Sequence, residues 1–331
     1  MNIRMQQELL EANYLGKYAC SCRDPIMTKR MLTEEPCPYR TEFQRDRDRI
    51  LHSNSFRRLK RKTQVFLSPT GDHYRTRLTH TLEVSQIARI ISRALMLNED
   101  LTEAIALGHD LGHSPFGHSG ESALDSVCPH GYRHYEQSVR VVDYIEKNGA
   151  GLNVTEAVRN GILCHTNKKA ATREGNVVRL ADRIAYINHD IEDAIRANIL
   201  KQEDLPKEST SVLGVTKSQR ITTVVGSVIE NGAETIGMDS VVEKAQNNLH
   251  DFMFKHVYYN PIAKHEEEKA QDLLVRLYRY YIDNIKKLPE NYLEIADKFD
   301  EHRAVCDYIS GMSDGYAIDL YRELFVPKEW K

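Results

Sequence analysis

The residues best suited to catalysis or metal binding lie close together in the stretch GHDLGHSPFGHSGE, residues 108–121. This stretch holds three histidines, two carboxylates and four glycines. His109 and Asp110 are adjacent. Neighbouring side chains on a helix diverge by about 100°, so both can reach one ion only near a helix end, and Gly112 is typical of such an end. Imidazole nitrogen and carboxylate oxygen suit Mn, Fe, Ni, Zn or Mg. The stretch therefore indicates a metal site, with a capped helix end as the simpler alternative.

A second polar group follows one side of the helix predicted for VVRLADRIAYINHDIEDA, residues 177–194. Apolar residues recur on one side of this segment at helical spacing. The opposite side carries a polar strip made of Asp182, Tyr186, His189, Asp190 and Asp193. A solvated face explains Asp193 and His189. It explains less well why the strip lacks the Lys or Arg partners of an i,i+4 ladder, so the strip indicates a surface that binds a cation.

Helical periodicity dominates the chain and predicts the elements that must position these groups. In LTHTLEVSQIARIISRALML, His80 lies four residues before Val84, at or beside the buried side of a helix. Further helices are predicted in NEDLTEAIALGHDLG, over 135–147, 155–165, 177–198 and 221–230, and through most of the C-terminal third. Residues 62–78, KTQVFLSPTGDHYRTRL, instead predict a small β-hairpin around Ser-Pro-Thr-Gly-Asp.

These patterns predict a mainly α fold with one small β-hairpin. An N-terminal arm would cover residues 1–40 and one domain residues 41–331, with a metal core over about 63–200 and a helical C-terminal part over about 201–331. The 331 residues carry a net charge of −3, so the chain lacks the global basic field of a dedicated nucleic-acid binder. The N-terminus has no apolar signal region and no apolar run approaches the roughly 20 residues of a membrane span, which predicts a soluble cytoplasmic protein.

The six cysteines are scattered along the chain and do not resemble a disulfide framework. Cys20 and Cys22 could bind zinc together with Cys37, but their spacing is poor and no fourth ligand is nearby. Reduced thiols are therefore the favoured interpretation.

The order of the candidate ligands resembles that of a known family. His80, then His109-Asp110, then Asp182 follow the H…HD…D order of the HD-domain metal-dependent phosphohydrolases. One branch, the deoxyguanosine triphosphate triphosphohydrolase (dGTPase)-like family, is similar in five successive blocks: RDRDRILHSNSFRRLKRKTQVF, RTRLTHTLEVSQIAR, GHDLGHSPFGHSGE, VVRLADRIAYINHDIEDA and DYISGMSDGYA. The HD pair alone is nonspecific, whereas five ordered blocks are highly specific. The resemblance implies an HD-domain helical bundle.

The same resemblance implies that the chain hydrolyses a deoxynucleoside triphosphate, with dGTP as one candidate, to the deoxynucleoside and tripolyphosphate. By family position, one divalent ion per active site would be held by His80, His109, Asp110 and Asp182. The ion would be Mn, Mg, Fe, Ni or Zn, and a second ion bound with the triphosphate stays open. It would polarise the α-phosphate and activate water.

The resemblance also assigns roles to the rest of residues 108–121. His118 would transfer a proton, as acid on the leaving oxygen or as base on the water, and Glu121 would orient it. His113 would lie beside the α-phosphate. The alternative for His113 and His118 is a pair of loop histidines satisfied by backbone hydrogen bonds.

A basic segment and several single residues are candidates for binding the substrate. Between Arg40 and Lys62 there are nine Arg or Lys and three acidic residues. An exposed basic helix or nucleic-acid patch is one explanation. We favour a wall in which some residues face the polyphosphate and others pair with acids between subunits.

By family position, Arg77 would contact phosphate, while Gln64 and Asp190 would hold the sugar 3′-hydroxyl. Tyr186 would pack on the deoxyribose and leave no room for a 2′-hydroxyl. His134 resembles a further residue on the phosphate side. Members of the family commonly have Asn after this histidine, and here Tyr135 follows it.

Two other functions stay open: an HD-type phosphohydrolase acting on another nucleotide, and a non-catalytic protein that binds nucleotides or single-stranded nucleic acid. The intact ligand set together with His118 and Glu121 favours the triphosphohydrolase, because a binding module does not need a proton-transfer pair. The resemblance further implies a homo-oligomer with deoxynucleoside triphosphates as its ligands, weak single-stranded nucleic-acid binding as a further option, and no membrane partner.

Overall fold

The structure, a computed structural model, describes residues 2–64, 75–258 and 261–328. These ranges contain sixteen α-helices and no extended strand. The helices are α1 (Ile3–Tyr14), α2 (Glu42–Leu51), α3 (Asn54–Arg58), α4 (Arg77–Ala94), α5 (Glu99–Gly108), α6 (Gly117–Val127), α7 (His134–Arg140), α8 (Glu156–Cys164), α9 (Arg173–Arg196), α10 (Lys207–Leu213), α11 (Lys217–Asn231), α12 (Ser240–Met253), α13 (Pro261–Asp283), α14 (Glu290–Lys298), α15 (Glu301–Ser310) and α16 (Asp314–Phe325). The predicted mainly α fold is confirmed.

The predicted β-hairpin falls mostly on residues 65–74, which lie outside the described residues. On its flanks, Thr63 and Thr76 form a single antiparallel bridge. Among the helices that the structure describes, none combines the length and the apolar character needed to cross a bilayer.

The two helices that matter most for the predicted site begin at side-chain caps. Asn98 accepts a hydrogen bond from Leu101 N at the start of α5, and Thr172 accepts one from Gly175 N at the start of α9. Such caps satisfy backbone N–H groups that have no partner inside the helix. Helix α5 ends at Gly108, so that His109 is its C-cap residue. The sequence therefore places His109 at a helix end, as predicted.

The chain divides into two compact units that alternate along the sequence. The first unit comprises residues 1–51, 80–109 and 153–260. At its centre α9 packs against α5, α8, α11 and α12, and α5 also packs against α2 and α8. Most of the apolar side of α9 is buried, including Val177, Ile184, Ile187 and Ile191, while Leu180 and Ile195 are half-buried. Asp182 lies on the polar strip of the same helix.

The second unit comprises residues 52–79, 110–152 and 261–331. Here α13 packs against α6, α15 and α16, and α14 packs against α15. Gly112 allows the backbone of α7 to come close, because a Cβ atom at this position would lie 2.1 Å from Ser138 N. The Gly112 N–H donates to Ser138 Oγ at 2.9 Å. The division into an N-terminal arm and one domain stays a prediction.

A buried ion pair fastens the N-terminal region to α2 and to the start of α8 within the first unit. Asp46 on α2 has no exposed surface, and it accepts hydrogen bonds from Arg30 Nη1 at 2.5 Å and from Thr155 N at 2.8 Å. Burial raises the pKa of the Asp46 carboxyl group, and the positive charge of Arg30 acts against this rise. Arg30 also donates to Glu42 Oε2 and to Asn153 O. The carboxylate therefore depends on Arg30 for its charge balance.

Replacing Arg30 by Met should destabilise the protein strongly, because it leaves the Asp46 charge buried without its counter-ion. We expect the free energy of unfolding, measured by urea denaturation, to fall by about 3–5 kcal/mol. Adding Asp46→Asn to this variant should recover part of the loss, since the amide oxygen still accepts from Thr155 N without carrying a charge.

The matched control is Arg93→Ala. Arg93 forms an ion pair with Glu99, and 67% of its side-chain surface is exposed. Exposed pairs contribute about 0–1 kcal/mol, so this variant should stay near the original stability. Similar losses for Arg30→Met and Arg93→Ala would contradict the role given to the buried pair.

Candidate metal and active site

Three of the predicted metal ligands meet in the first unit. His80 lies in the first turns of α4, Asp182 lies in the middle of α9, and His109 caps α5. His80 Nε2 is 3.0 Å from Asp182 Oδ1, and His109 Nε2 is 3.9 Å from the same oxygen. The nitrogens of two buried imidazole rings thus approach one oxygen of a half-buried carboxylate. This donor set fits a divalent transition metal or Mg²⁺.

The local hydrogen bonds prepare these groups for a cation. His109 Nδ1 lies 2.6 Å from Ala106 O, so Nδ1 carries the hydrogen and Nε2 keeps its lone pair. Burial alone would raise the pKa of Asp182, but the hydrogen bond with His80 and the nearby imidazoles hold that pKa below its usual value. Asp182 is therefore favoured in its ionised form, the form in which a carboxylate binds a cation.

Asp110, the fourth predicted ligand, follows His109 in the chain and belongs to the second unit. Arg77 Nη1 donates to its Oδ2 at 2.9 Å, and His113 Nε2 lies 3.1 Å from its Oδ1. Both carboxylate oxygens of Asp110 therefore have a cationic or imidazole neighbour. Arg77, predicted to contact phosphate, pairs with Asp110 in this structure.

The second unit brings together His113, His134 and Glu121. The imidazole rings of His113 and His134 are stacked, with centroids 4.0 Å apart and planes 13° apart. Glu121 Oε2 lies 2.8 Å from His134 Nδ1, and Glu121 Oε1 accepts from His134 N at 3.1 Å. Donor atoms of the three residues lie within 4.8 Å of one another. Because the two rings are nearly parallel, their lone pairs do not converge, and the group suits proton transfer better than metal binding.

The electrostatics of this group keep the His113 imidazole neutral and the Glu121 carboxylate charged. Burial, followed by the charge of Arg77, lowers the pKa of His113 well below its usual value. Burial would raise the pKa of Glu121, but hydrogen bonds from His134 bring it below the ordinary value. The Nδ1 atom of His113 is buried and has no hydrogen-bond partner within the described residues.

His118 lies in the first turn of α6, with its ring edge-on to His113 at a centroid distance of 6.1 Å. Desolvation of the ring by the surrounding protein, followed by the charge of Arg77, lowers the pKa of His118. The charge of Glu121 acts in the opposite direction. The side chain nevertheless keeps substantial contact with solvent. The hydrogen bonds described above for Glu121 involve His134, so the orienting of His118 by Glu121 stays a prediction.

Two buried groups hold the loop between α5 and α6. Lys62 Nζ donates to His113 O and to Ser310 O, and Asp314 accepts from Phe116 N at 3.1 Å. Phe116 adopts a left-handed conformation, with φ 62°. Burial, followed by the charge of Arg58, lowers the pKa of Lys62 to about 7. These contacts fix the backbone on both sides of Pro115 and thereby position His113 and His118.

The remaining predicted substrate residues lie in both units. In the first unit, Asp190 is buried, and Tyr186 is half-buried with its ring 6.1 Å from that of His250. Burial raises the pKa of the Tyr186 hydroxyl. In the second unit, Gln64 Oε1 is buried and has no hydrogen-bond partner among the residues described. A buried acceptor without a partner is costly, so Gln64 is well suited to meet a ligand donor.

The basic segment behaves differently from the predicted polyphosphate wall. Its arginines on α2 pair with carboxylates of the same chain, in the contacts Arg45–Glu42, Arg47–Asp100 and Arg49–Glu34. Two of these pairs, with Asp100 and Glu34, use acids from outside the segment and so neutralise part of its surplus charge. The alternative of zinc bound to cysteines gains no support either, since the described residues contain no cluster of three potential ligands that includes a cysteine. All six cysteines are free thiols.

Two buried histidines beside the ligands were not predicted as site residues. In the first unit His165, His109, His80 and His189 form a row, with successive ring centroids 5.0, 5.7 and 6.0 Å apart. His165 and His189 are 2% and 1% exposed. His189 belongs to the polar strip of α9, so the solvated-face explanation is wrong for it, and also for Asp193, which is 3% exposed. The sequence argument from missing basic partners does not apply to Asp193, because Arg196 Nη1, three residues later, lies 3.6 Å from its Oδ1.

Comparisons with known proteins identify the family of this chain. An HD domain matches residues 77–187, and a phosphohydrolase-associated domain matches residues 236–323. A deoxyguanosinetriphosphate triphosphohydrolase-like protein of Caldanaerobacter subterraneus is 53% identical over 100% of this chain and 98% of its own. Similarly named proteins of Clostridium perfringens and Geobacter sulfurreducens are 48% and 36% identical, covering 99% and 98% of both chains.

A crystal structure of a hypothetical protein from Aquifex aeolicus matches with a TM-score of 0.48 and 20% identity, over 86% of this chain and 68% of that one, which is too distant to support an argument. The full-length relatives and the HD-domain match together are decisive. The chain belongs to the deoxyguanosinetriphosphate triphosphohydrolase-like family and is a hydrolase with an HD domain.

Proposed function

We propose that the chain is a metal-dependent deoxynucleoside triphosphate triphosphohydrolase, which converts a dNTP and water to the deoxynucleoside and inorganic tripolyphosphate. The observation that supports this most directly is the approach of His80 Nε2 and His109 Nε2 to Asp182 Oδ1. The relatives, named as deoxyguanosinetriphosphate triphosphohydrolase-like proteins over their full length, support the choice of substrate class. In this proposal Asp110 completes the ligand set.

The chemistry needs neutralised charge at the α-phosphate, an activated water and a proton for the 5′-oxygen. When bound, a divalent ion such as Mn²⁺ or Mg²⁺ supplies a Lewis acid that polarises the phosphoryl oxygen and acidifies water. His118 transfers the proton, and Glu121 with His134 keeps a negative charge near it. His113, held neutral by burial, lies beside the α-phosphate and can exchange a hydrogen bond without adding charge.

Selection of a deoxyribonucleotide is assigned to Tyr186 and the 3′-hydroxyl partners. Tyr186 lies one helical turn after Asp182 on α9, and it packs on the deoxyribose where a 2′-hydroxyl would stand. Asp190 and Gln64 bind the 3′-hydroxyl, and the buried Oε1 of Gln64 accepts a hydrogen bond from it. A homo-oligomer in the cytoplasm remains part of this proposal, and light scattering tests the assembly.

The ligand assignment is tested by the products. We expect the wild-type protein with Mn²⁺ or Mg²⁺ to release tripolyphosphate from at least one of the four dNTPs, assayed singly and in mixture by anion exchange. His109→Ala and Asp110→Ala should each lower the rate by at least about 100-fold, because a ligand and its charge are lost. The exposed Arg93→Ala variant serves as the control and should keep the wild-type rate.

Other products would decide between the alternatives. Release of orthophosphate or pyrophosphate would reject attack at the α-phosphorus and favour an HD phosphohydrolase with another reaction. Binding of dNTPs or single-stranded nucleic acid without any product, under all metal conditions, would favour the non-catalytic alternative.

The sugar assignment is tested by Tyr186→Ala. Removing the ring should open space for the 2′-hydroxyl, so the ratio of kcat/KM for GTP to that for dGTP should rise by roughly 10- to 100-fold. Tyr186→Phe should keep the wild-type ratio, because the ring remains. An equal loss of kcat/KM for both nucleotides in Tyr186→Ala would contradict the assignment.

A further inference from the structure

The imidazole of His80 lacks the second anchor that usually fixes a metal-binding histidine. Its Nε2 faces Asp182, whereas its Nδ1 is buried and finds no hydrogen-bond partner within the described residues. His109 is different, because its Nδ1 is fixed by Ala106 O. A ligand histidine normally donates its other N–H to a partner that sets the ring orientation. For His80, the neighbouring side chains must provide this restraint by packing.

The ring of His189 lies directly against that of His80. Their centroids are 6.0 Å apart and their planes stand at 89°, an edge-to-face contact. His189 is 1% exposed. Buried aromatic rings in this geometry restrict each other's rotation and gain about 0.5–1.5 kcal/mol beyond area burial. The orientation of His189 therefore limits the orientation of His80.

His189 is in turn held by Glu83. Glu83 Oε2 lies 3.2 Å from His189 Nδ1, a close electrostatic contact that does not have the geometry of a hydrogen bond, and Glu83 is three residues after His80 on α4. His189 is seven residues after Asp182 on α9, so both positions lie on the same face of that helix. The His189–Glu83 contact thus ties α4 to α9 beside the His80–Asp182 contact.

Glu83 is restrained from its outer side by a lysine. Lys217, in the first turn of α11, lies 3.8 Å from Glu83 Oε1 and binds Glu192 Oε2 at 2.9 Å. The Glu83 side chain keeps 33% of its exposure. Because Glu83 is half-exposed, solvent can fill the space left by its substitution. A change at Glu83 should therefore destabilise the fold less than a change at His189, which is buried.

We propose that His189, held by Glu83, is a positioning residue that orients the His80 imidazole for metal binding. The proposal rests on the proposed function only in taking His80 and Asp182 as metal ligands. Neither His189 nor Glu83 needs to touch the ion or the substrate. They set the direction of His80 Nε2 and the separation of the two helices that carry ligands.

The test measures metal binding directly. Mn²⁺ affinity is determined by calorimetry on the full chain, and the visible absorption of the Co²⁺-loaded protein reports ligand geometry. His189→Ala should weaken Mn²⁺ binding by about 10- to 100-fold, the usual effect of removing a partner of a metal ligand. Glu83→Ala should weaken it in the same direction and alter the Co²⁺ bands. Glu83→Gln, which keeps the side-chain size and an oxygen beside His189, should restore most of the affinity.

The control and the contrary outcomes separate positioning from folding. Glu192→Gln changes the outer partner of Lys217 and should keep wild-type affinity and Co²⁺ bands. If Glu83→Ala lowers the Tm while the Mn²⁺ Kd and the Co²⁺ spectrum stay unchanged, the contact is structural and the proposal fails. It also fails if the wild-type chain binds neither metal.

Product analysis in parallel separates this inference from the proposed function. Weakened Mn²⁺ binding in the variants of His189 and Glu83, with no tripolyphosphate from any dNTP in the wild type, would leave the positioning role standing and reject the reaction. Tripolyphosphate release by the wild type, with unchanged Mn²⁺ affinity in these variants, would reject the positioning role and leave the reaction standing.

Discussion

The contact between His80 Nε2 and Asp182 Oδ1 joins residues that are 102 positions apart in the chain. The Asp182 side chain is half-buried in the first unit, and burial of its charge is costly. The hydrogen bond with His80 and the electrostatic effect of the neighbouring imidazoles offset that cost. A cation placed between the same groups would offset it further. The apolar packing of α9 against α5 and the capped starts of these two helices bring His109 and Asp182 together.

Buried acids with dedicated partners recur through both units. Asp46 depends on Arg30, Asp110 has Arg77, and Asp307 accepts from Arg140 Nη2 at 2.5 Å. Each pair links segments that are distant along the chain. Removing one member leaves an uncompensated charge, which is far more costly than losing a surface pair. These three arginines lie outside the basic segment at residues 40–62, so the arginines that matter most for buried charge were not marked by local density in the sequence.

Several features were predictable because they depend on local periodicity. The helix over 177–198 and its polar strip appear in the structure as α9, Arg173–Arg196, and the break at Gly112 follows the helix end at Gly108. The hydrogen-bond partner of a given side chain was harder to predict from the sequence. Glu121 bonds to His134, thirteen residues away, and sequence spacing favoured the nearer His118. The burial of His189 depends on packing against α4, which the pattern of one helix cannot reveal.

The charge state of His118 depends on what lies beside Arg77. In the free protein, the surroundings and the Arg77 charge lower the pKa of His118, so the neutral ring prevails near pH 7 and can accept a proton. A bound triphosphate carries about four negative charges, and its approach to Arg77 would oppose that positive charge and raise the pKa. The ring would then hold a proton more readily at the stage when the 5′-oxygen leaves. Substrate charge, acting through a single arginine, would thus adjust His118 to a role as acid, whereas without the substrate it is suited to a role as base.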